Sequence, residues 1–188
     1  QDKLLTKFPA DIQETNAHIA GLKADAQLAA AHPQGKEEFC GMTIRGVTYD
    51  EKKTAGERLV LACSELPNAE EKVIGSYRGF ELSLRFDAFR TEYQALLKGQ
   101  RKYTVPLGTD PLGNIIRLDN SLNSFPERIN SAENELATLR QQQAAAQIEV
   151  EKPFPQEEEL AEKSARLAEL NAQLDVDEKS HEPEQDEE

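Results

Sequence analysis

Phe80-Glu81-Leu82-Ser83-Leu84-Arg85-Phe86 alternates apolar and polar residues without a break. Side chains on a strand point to opposite faces in turn. The stretch therefore reads as a half-buried β-strand, with Phe80, Leu82, Leu84 and Phe86 on the covered face. Two more alternations follow: Phe89, Thr91, Tyr93, Ala95 and Leu97, then Tyr103, Val105 and Leu107. Lys98-Gly99-Gln100 joins them as a turn. Gly108-Thr109-Asp110-Pro111-Leu112-Gly113-Asn114 is dense in turn residues, and residues 115–118 after it read as a last strand. Connections this short make neighbouring strands antiparallel. The expectation is a meander of four or five strands with residues 73–77 at one edge.

Working upstream, residues 39–49 look extended, with Gly46 in a tight turn between two short strands. Thr48 followed by Glu51 has capping-box spacing. A helix over about 50–66 comes next, carrying Ala55, Leu59, Ala62, Cys63 and Leu66 on one face. Before this lies a longer helix, about 3–31, whose Leu5, Phe8, Ile12, Thr15, Ile19, Leu22, Ala26 and Ala29 recur at three- and four-residue steps. Pro9 interrupts its first turns. Downstream, Ser124 ahead of Pro126 and Glu127 suits a helix start. Ile129, Ala132, Leu136, Leu139, Gln143, Ala146 and Val150 continue the same stepping. Pro153-Phe154-Pro155 breaks that helix, and a last one carries Leu160, Leu167, Leu170 and Leu174. These seams resemble coiled-coil seams but are short and rich in Ala and Gln, so they need partners. An antiparallel bundle of residues 11–31, 127–151 and 157–174 is the expected solution, with contact to another domain as the alternative.

The expected fold class is therefore α+β: an antiparallel β-meander with a packed helix, plus long coiled-coil-like helices forming a bundle or hairpin arm. Residues 1–38 give the N-terminal helix of the arm and 39–122 the strand-rich domain. Residues 123–174 give the C-terminal helices, and 175–188, with eight acids and one lysine, a disordered acidic tail.

Composition narrows the function. The 188 residues carry 35 acids and 22 bases, for a net charge of -13, and only 38% are hydrophobic. No apolar run approaches the roughly 20 residues that span a bilayer, so no membrane partner and a cytoplasmic location are expected. Cys40 and Cys63 lack metal or redox spacing and read as two reduced thiols. The chain starts at Gln1 and its one methionine is Met42, so a segment of a longer protein is expected.

The common catalytic signatures are missing. Gly35-Lys36-Glu37 puts a carboxylate where a P-loop needs a hydroxyl, and no dinucleotide fingerprint is present. His18, His32 and His181 have no zinc spacing. Gly75-Ser76-Tyr77-Arg78-Gly79 has Tyr where a nucleophile elbow needs Ser. No catalytic residue, cofactor, metal or small-molecule substrate is expected. One asymmetry stands out: nine basic residues against six acids between Lys72 and Arg128. By strand phase, Arg85, Arg90, Lys102 and Arg117 lie opposite the apolar face. Cations on one face can neutralise phosphates without any motif, so these four are the candidate nucleic-acid-binding residues. An ordinary solvated face partnered by Glu81 and Glu92 is the competing reading.

Four stretches carry a resemblance: MTIRGVTYDEKKTAGE (42–57), GSYRGFELSLRFDAF (75–89), YTVPLGTD…GNIIRLDN (103–120) and KPFPQEEELAEKSARLAELNAQL (152–174). Together they resemble the region downstream of the helicase core in large bacterial mobile-element proteins, which join an adenine-specific DNA methylase to a Swi/Snf-type helicase. The catalytic motifs of that family do not carry over. Thr109-Asp110-Pro111-Leu112 has one proline and no aromatic where the methylase tetrapeptide needs two prolines and an aromatic, and the helicase phosphate loop is missing. The resemblance implies a non-catalytic accessory domain. Its partners would be the other domains of the parent protein, with DNA as a further candidate. A protein-interaction or spacer module without nucleic-acid contact is the alternative.

Overall fold

The computed structural model describes residues 2–35, 39–151 and 155–179, with side chains described for 6–35, 39–150 and 159–173. It is an α+β fold. Helix α1 (Asp2–Ala31) leads into strands β1 (Met42–Ile44) and β2 (Val47–Tyr49), then helix α2 (Lys52–Ser64). Strands β3 (Lys72–Tyr77), β4 (Phe80–Asp87), β5 (Glu92–Lys98) and β6 (Lys102–Leu107) follow. Helices α3 (Pro111–Asn123), α4 (Phe125–Glu151) and α5 (Pro155–Lys179) complete the described chain.

One six-stranded antiparallel sheet runs in the order β2-β1-β3-β4-β5-β6. The expected meander is present in β3 to β6, but β3 is not an edge. The β1–β2 hairpin adds to it, pairing Met42 with Tyr77 and Ile44 with Gly75. Both Arg-Gly pairs make two-residue hairpin turns. Arg45 and Gly46 have φ of 51° and 80°, and Arg78 and Gly79 have φ of 49° and 80°. Positive φ at both central residues is what a turn matched to strand twist requires.

Residues 115–118 are not a strand. They belong to α3, which opens on Asp110: its side chain accepts from the Gly113 amide at 2.9 Å, with Pro111 just inside the helix. An N-cap acid followed by Pro at the first helical position is a start signal, not a hairpin signal. Ile115, Leu118 and Leu122 then fall on one buried face. The second alternation also begins later than expected. Strand β5 starts at Glu92, and Phe89 stands in the preceding turn, 98% exposed. The expected capping box is not used, because Thr48 lies in β2 and Glu51 itself holds the N-cap position of α2.

The core sits between the apolar sheet face and the helices. Phe80, Leu82, Leu84, Ala95, Leu97 and Val105 from the sheet join Leu59 of α2, Leu118 of α3, Leu22 of α1 and Leu136 of α4 in one cluster. Phe80, Tyr103 and Phe125 pack ring to ring, with centroids 5.2–6.2 Å apart. Helices α2 and α3 approach closely at Gly56, where a Cβ would collide with the Pro111 carbonyl oxygen.

Helices α1 and α4 pack together, with Thr15, Ile19, Leu22 and Ala29 of α1 and Ala132 and Leu136 of α4 buried. The third helix does not join them. All described side chains of α5 are exposed, with Leu160 at 69%, Leu167 at 64% and Leu170 at 51%. Of the tail expected over 175–188, residues 175–179 belong to α5, while residues 180–188 and the side chain of Leu174 lie outside what the structure describes. Among the described residues, no helix is long and apolar enough to cross a membrane.

Candidate interaction surface

The sheet face away from the helices is built by strand alternation. Glu81, Ser83, Arg85 and Asp87 of β4 pair with Lys98, Leu96, Gln94 and Glu92 of β5. Lys102 and Thr104 of β6 continue the rows. Although no helix covers this face, Ser83, Gln94 and Leu96 are each about 1% exposed. Longer neighbours close over them. Lys102 Nζ donates to both Glu71 carboxylate oxygens at 2.7 and 2.9 Å, and that bond holds the Glu71 carboxyl below the usual range. Arg85 Nε donates to Gln94 Oε1 at 2.9 Å, while Gln94 Nε2 donates to Asp87 and Glu92. Lys98 meets Glu81 at 3.7 Å.

The four candidate cations are therefore dispersed. Arg85 and Lys102 share this face, each held by a neighbour. Arg90 stands in the β4–β5 turn, where its amide donates to Asp87 Oδ1 at 3.1 Å. Arg117 is on α3, over the opposite sheet face, and reaches edge strand β6 through the Pro106 carbonyl at 3.3 Å. Its misplacement follows from reading residues 115–118 as a strand.

Sequence reasoning missed two buried polar networks. Asp25 on α1 is 1% exposed. Its carboxylate accepts from the Gln100 amide at 2.6 Å, the Arg101 amide at 2.9 Å and the Tyr103 hydroxyl at 2.6 Å. Burial, with that hydrogen bond, pushes the Tyr103 hydroxyl well above its ordinary range. The second network centres on Asp119 of α3. It accepts from the Tyr77 hydroxyl at 2.8 Å and pairs with Arg78 at 3.4 Å, both partners being nearly solvent-free. Arg78 also donates to Asn123 and to the His32 carbonyl. Asp119 Oδ2 has no hydrogen-bond partner. Asp25 sits one residue from a seam position, and Asp119 one residue from Leu118. An isolated acid beside an apolar helix stripe was the available signal.

Cys40, near Arg78 and Asp119, has its thiol pushed up by burial, which disfavours the nucleophilic thiolate. His32 Nδ1 donates to the Leu28 carbonyl rather than serving that thiol. Cys40 and Cys63 are both free thiols. A groove of about 480 Å³ between α1 and α4 is lined by Asp11, Glu14, His18, Arg101 and Glu135. Among the described residues, no three His, Cys, Asp or Glu side chains converge to hold a metal ion.

The fold and surface thus define an α+β protein with one helix-covered sheet face, one self-covered face and a helix α5 whose described side chains, 159–173, are all exposed. No family profile, curated protein or solved structure matches the chain.

Proposed function

We propose that the chain is a non-catalytic accessory module whose helical arm, above all α5, docks or spaces neighbouring modules of a larger protein. The sequence resemblance suggests a DNA helicase–methylase protein as that parent. The observation carrying this reading is the exposure of Leu160, Leu167 and Leu170, whereas α1 and α4 pack on each other. Leucines at coiled-coil spacing gain about 2 kcal/mol each on full burial, and here they gain nothing within the chain. Contact with DNA through Arg85, Arg90, Lys102 and Arg117 is the weaker reading. Those cations form no continuous strip, and a chain of -13 repels a polyanion at long range.

The test supplies helicase-core and methylase polypeptides of the resembled family in trans and follows hydrogen exchange in residues 159–173. The reading expects one of them to protect α5, and expects Leu160→Ser with Leu167→Ser to abolish the protection. Absence of protection by either polypeptide counts against it. So does tight binding of duplex DNA that is lost on charge reversal of the four cations.

A further inference from the structure

Arg101 ends the β5–β6 turn, where its amide donates to buried Asp25 at 2.9 Å. Its side-chain stem lies along α1 at Gly21, where a Cβ would stand 3.0 Å from Arg101 Cγ and Cδ. That is inside the roughly 3.5–4.0 Å of comfortable carbon contact. A glycine inside a helix is destabilising relative to alanine, and here it makes room for that stem. Arg128 of α4 stands over the Tyr103 ring at 5.1 Å and donates to the Ser121 and Ser124 hydroxyls. Among the described residues, neither guanidinium forms an ion pair, although the chain carries 35 acids against 22 bases. Asp25 has both oxygens taken already, by the Gln100 and Arg101 amides and the Tyr103 hydroxyl.

Both arginines line one hollow. With His18, Ser131 and the buried Tyr103 ring they enclose about 350 Å³ between α1, α4 and the turn. Lys102 also borders it, its ammonium held by Glu71. The hollow shares His18, Arg101 and Glu135 with the groove of about 480 Å³ that runs on to Asp11 and Glu14. The combined cleft is polarised. Guanidinium and hydroxyl donors stand at the turn end, and carboxylate acceptors line the rest. A guanidinium fork matches the geometry of phosphate oxygens, and carboxylates accept from hydroxyl groups.

The geometry points to a binding site for a small hydroxylated phosphate monoester, of the sugar-phosphate class. Arg101, Arg128 and Ser131 hold the phosphate, and Glu14 and Glu135 accept from the sugar hydroxyls. A compact dianion suits the site better than a polyanion, because the positive charge is local and a chain of -13 repels an extended phosphate backbone. No motif announces this ligand in the sequence, since Gly21, Arg101 and Arg128 meet only in the fold. Helix α5 lends no side chain to the cleft, and the site does not rest on the function proposed above.

Isothermal titration calorimetry of the full chain with ribose 5-phosphate tests this. Saturable binding is expected, weakened about tenfold or more by Arg101→Ala and unchanged by Arg58→Ala in α2. Ribose without the phosphate is expected not to bind. Glu14→Ala with Glu135→Ala is expected to erase the preference for the ester over inorganic phosphate. These positions are exposed, and circular dichroism checks that each variant keeps the fold. Absence of saturable binding up to tens of millimolar overturns the proposal, as does binding that Arg101→Ala leaves unchanged. A preference for the ester that survives loss of both glutamates overturns it too. So does duplex DNA bound through Arg101 more tightly than the ester.

Discussion

Asp25 lies on α1 and fixes a turn 75 residues away in the chain. Its three acceptor bonds tie the arm to the β5–β6 hairpin, and the Tyr103 hydroxyl it holds is buried. Removing the carboxylate leaves these donors unpaired, at roughly 1–3 kcal/mol for a buried one. Asp25→Ala is expected to lower unfolding free energy by about 3 kcal/mol, measured by urea denaturation. Little change would mean that the turn stands without the helix. Tyr77 and Tyr103 add a pH dependence. Burial, with the neighbouring Asp119 and Asp25, raises both hydroxyl pKa values in the folded state. Such groups contribute stability that is present in full below the unfolded value, about 10, and lost as pH rises from there toward the folded values. Alkaline titration is therefore expected to show two phenolates appearing together with the loss of circular dichroism. Ionisation of these two tyrosines in a fold that stays intact would contradict the buried pairing.

At the scale of elements, close approach rather than propensity sets the α2–α3 contact. Gly56→Ala gains roughly 1 kcal/mol of helix propensity. It also drives a methyl group into the Pro111 carbonyl, where overpacking costs about 1–3 kcal/mol. A net loss of stability is expected in thermal unfolding, and a gain would show that the helices can separate freely. The strands β3 to β6 were legible because Phe80–Phe86 has an unbroken period of two and helices cover only one face of the sheet. Helix α3 was not, because Gly113 and Pro111 look like turn residues until Asp110 is seen as the cap that fixes them. The same local ambiguity moved Arg117 from sheet to helix and Phe89 from strand to turn. The position of β3 was not legible either. A pairing between Met42 and Tyr77 is long-range, and no local pattern in the sequence encodes it. The two buried acids escaped because charge alone does not tell a solvated side chain from one that accepts from buried donors, three for Asp25 and two for Asp119.

Over the whole molecule, a single hydrophobic cluster unites the sheet with α1, α2, α3 and α4, while Leu160, Leu167 and Leu170 of α5 are left largely in water. The surplus of acid over base keeps individual copies apart at long range. The reading of the chain as a docking or spacing module stands on that contrast between a closed core and an open helix. Hydrogen exchange of the isolated chain in dilute solution tests it most directly. The account predicts slow exchange in the core-facing turns of α1 and α4 and fast exchange throughout residues 159–173. Protection of residues 159–173 equal to that of α1 and α4 would contradict it, because the leucine stripe would then already be buried within the chain.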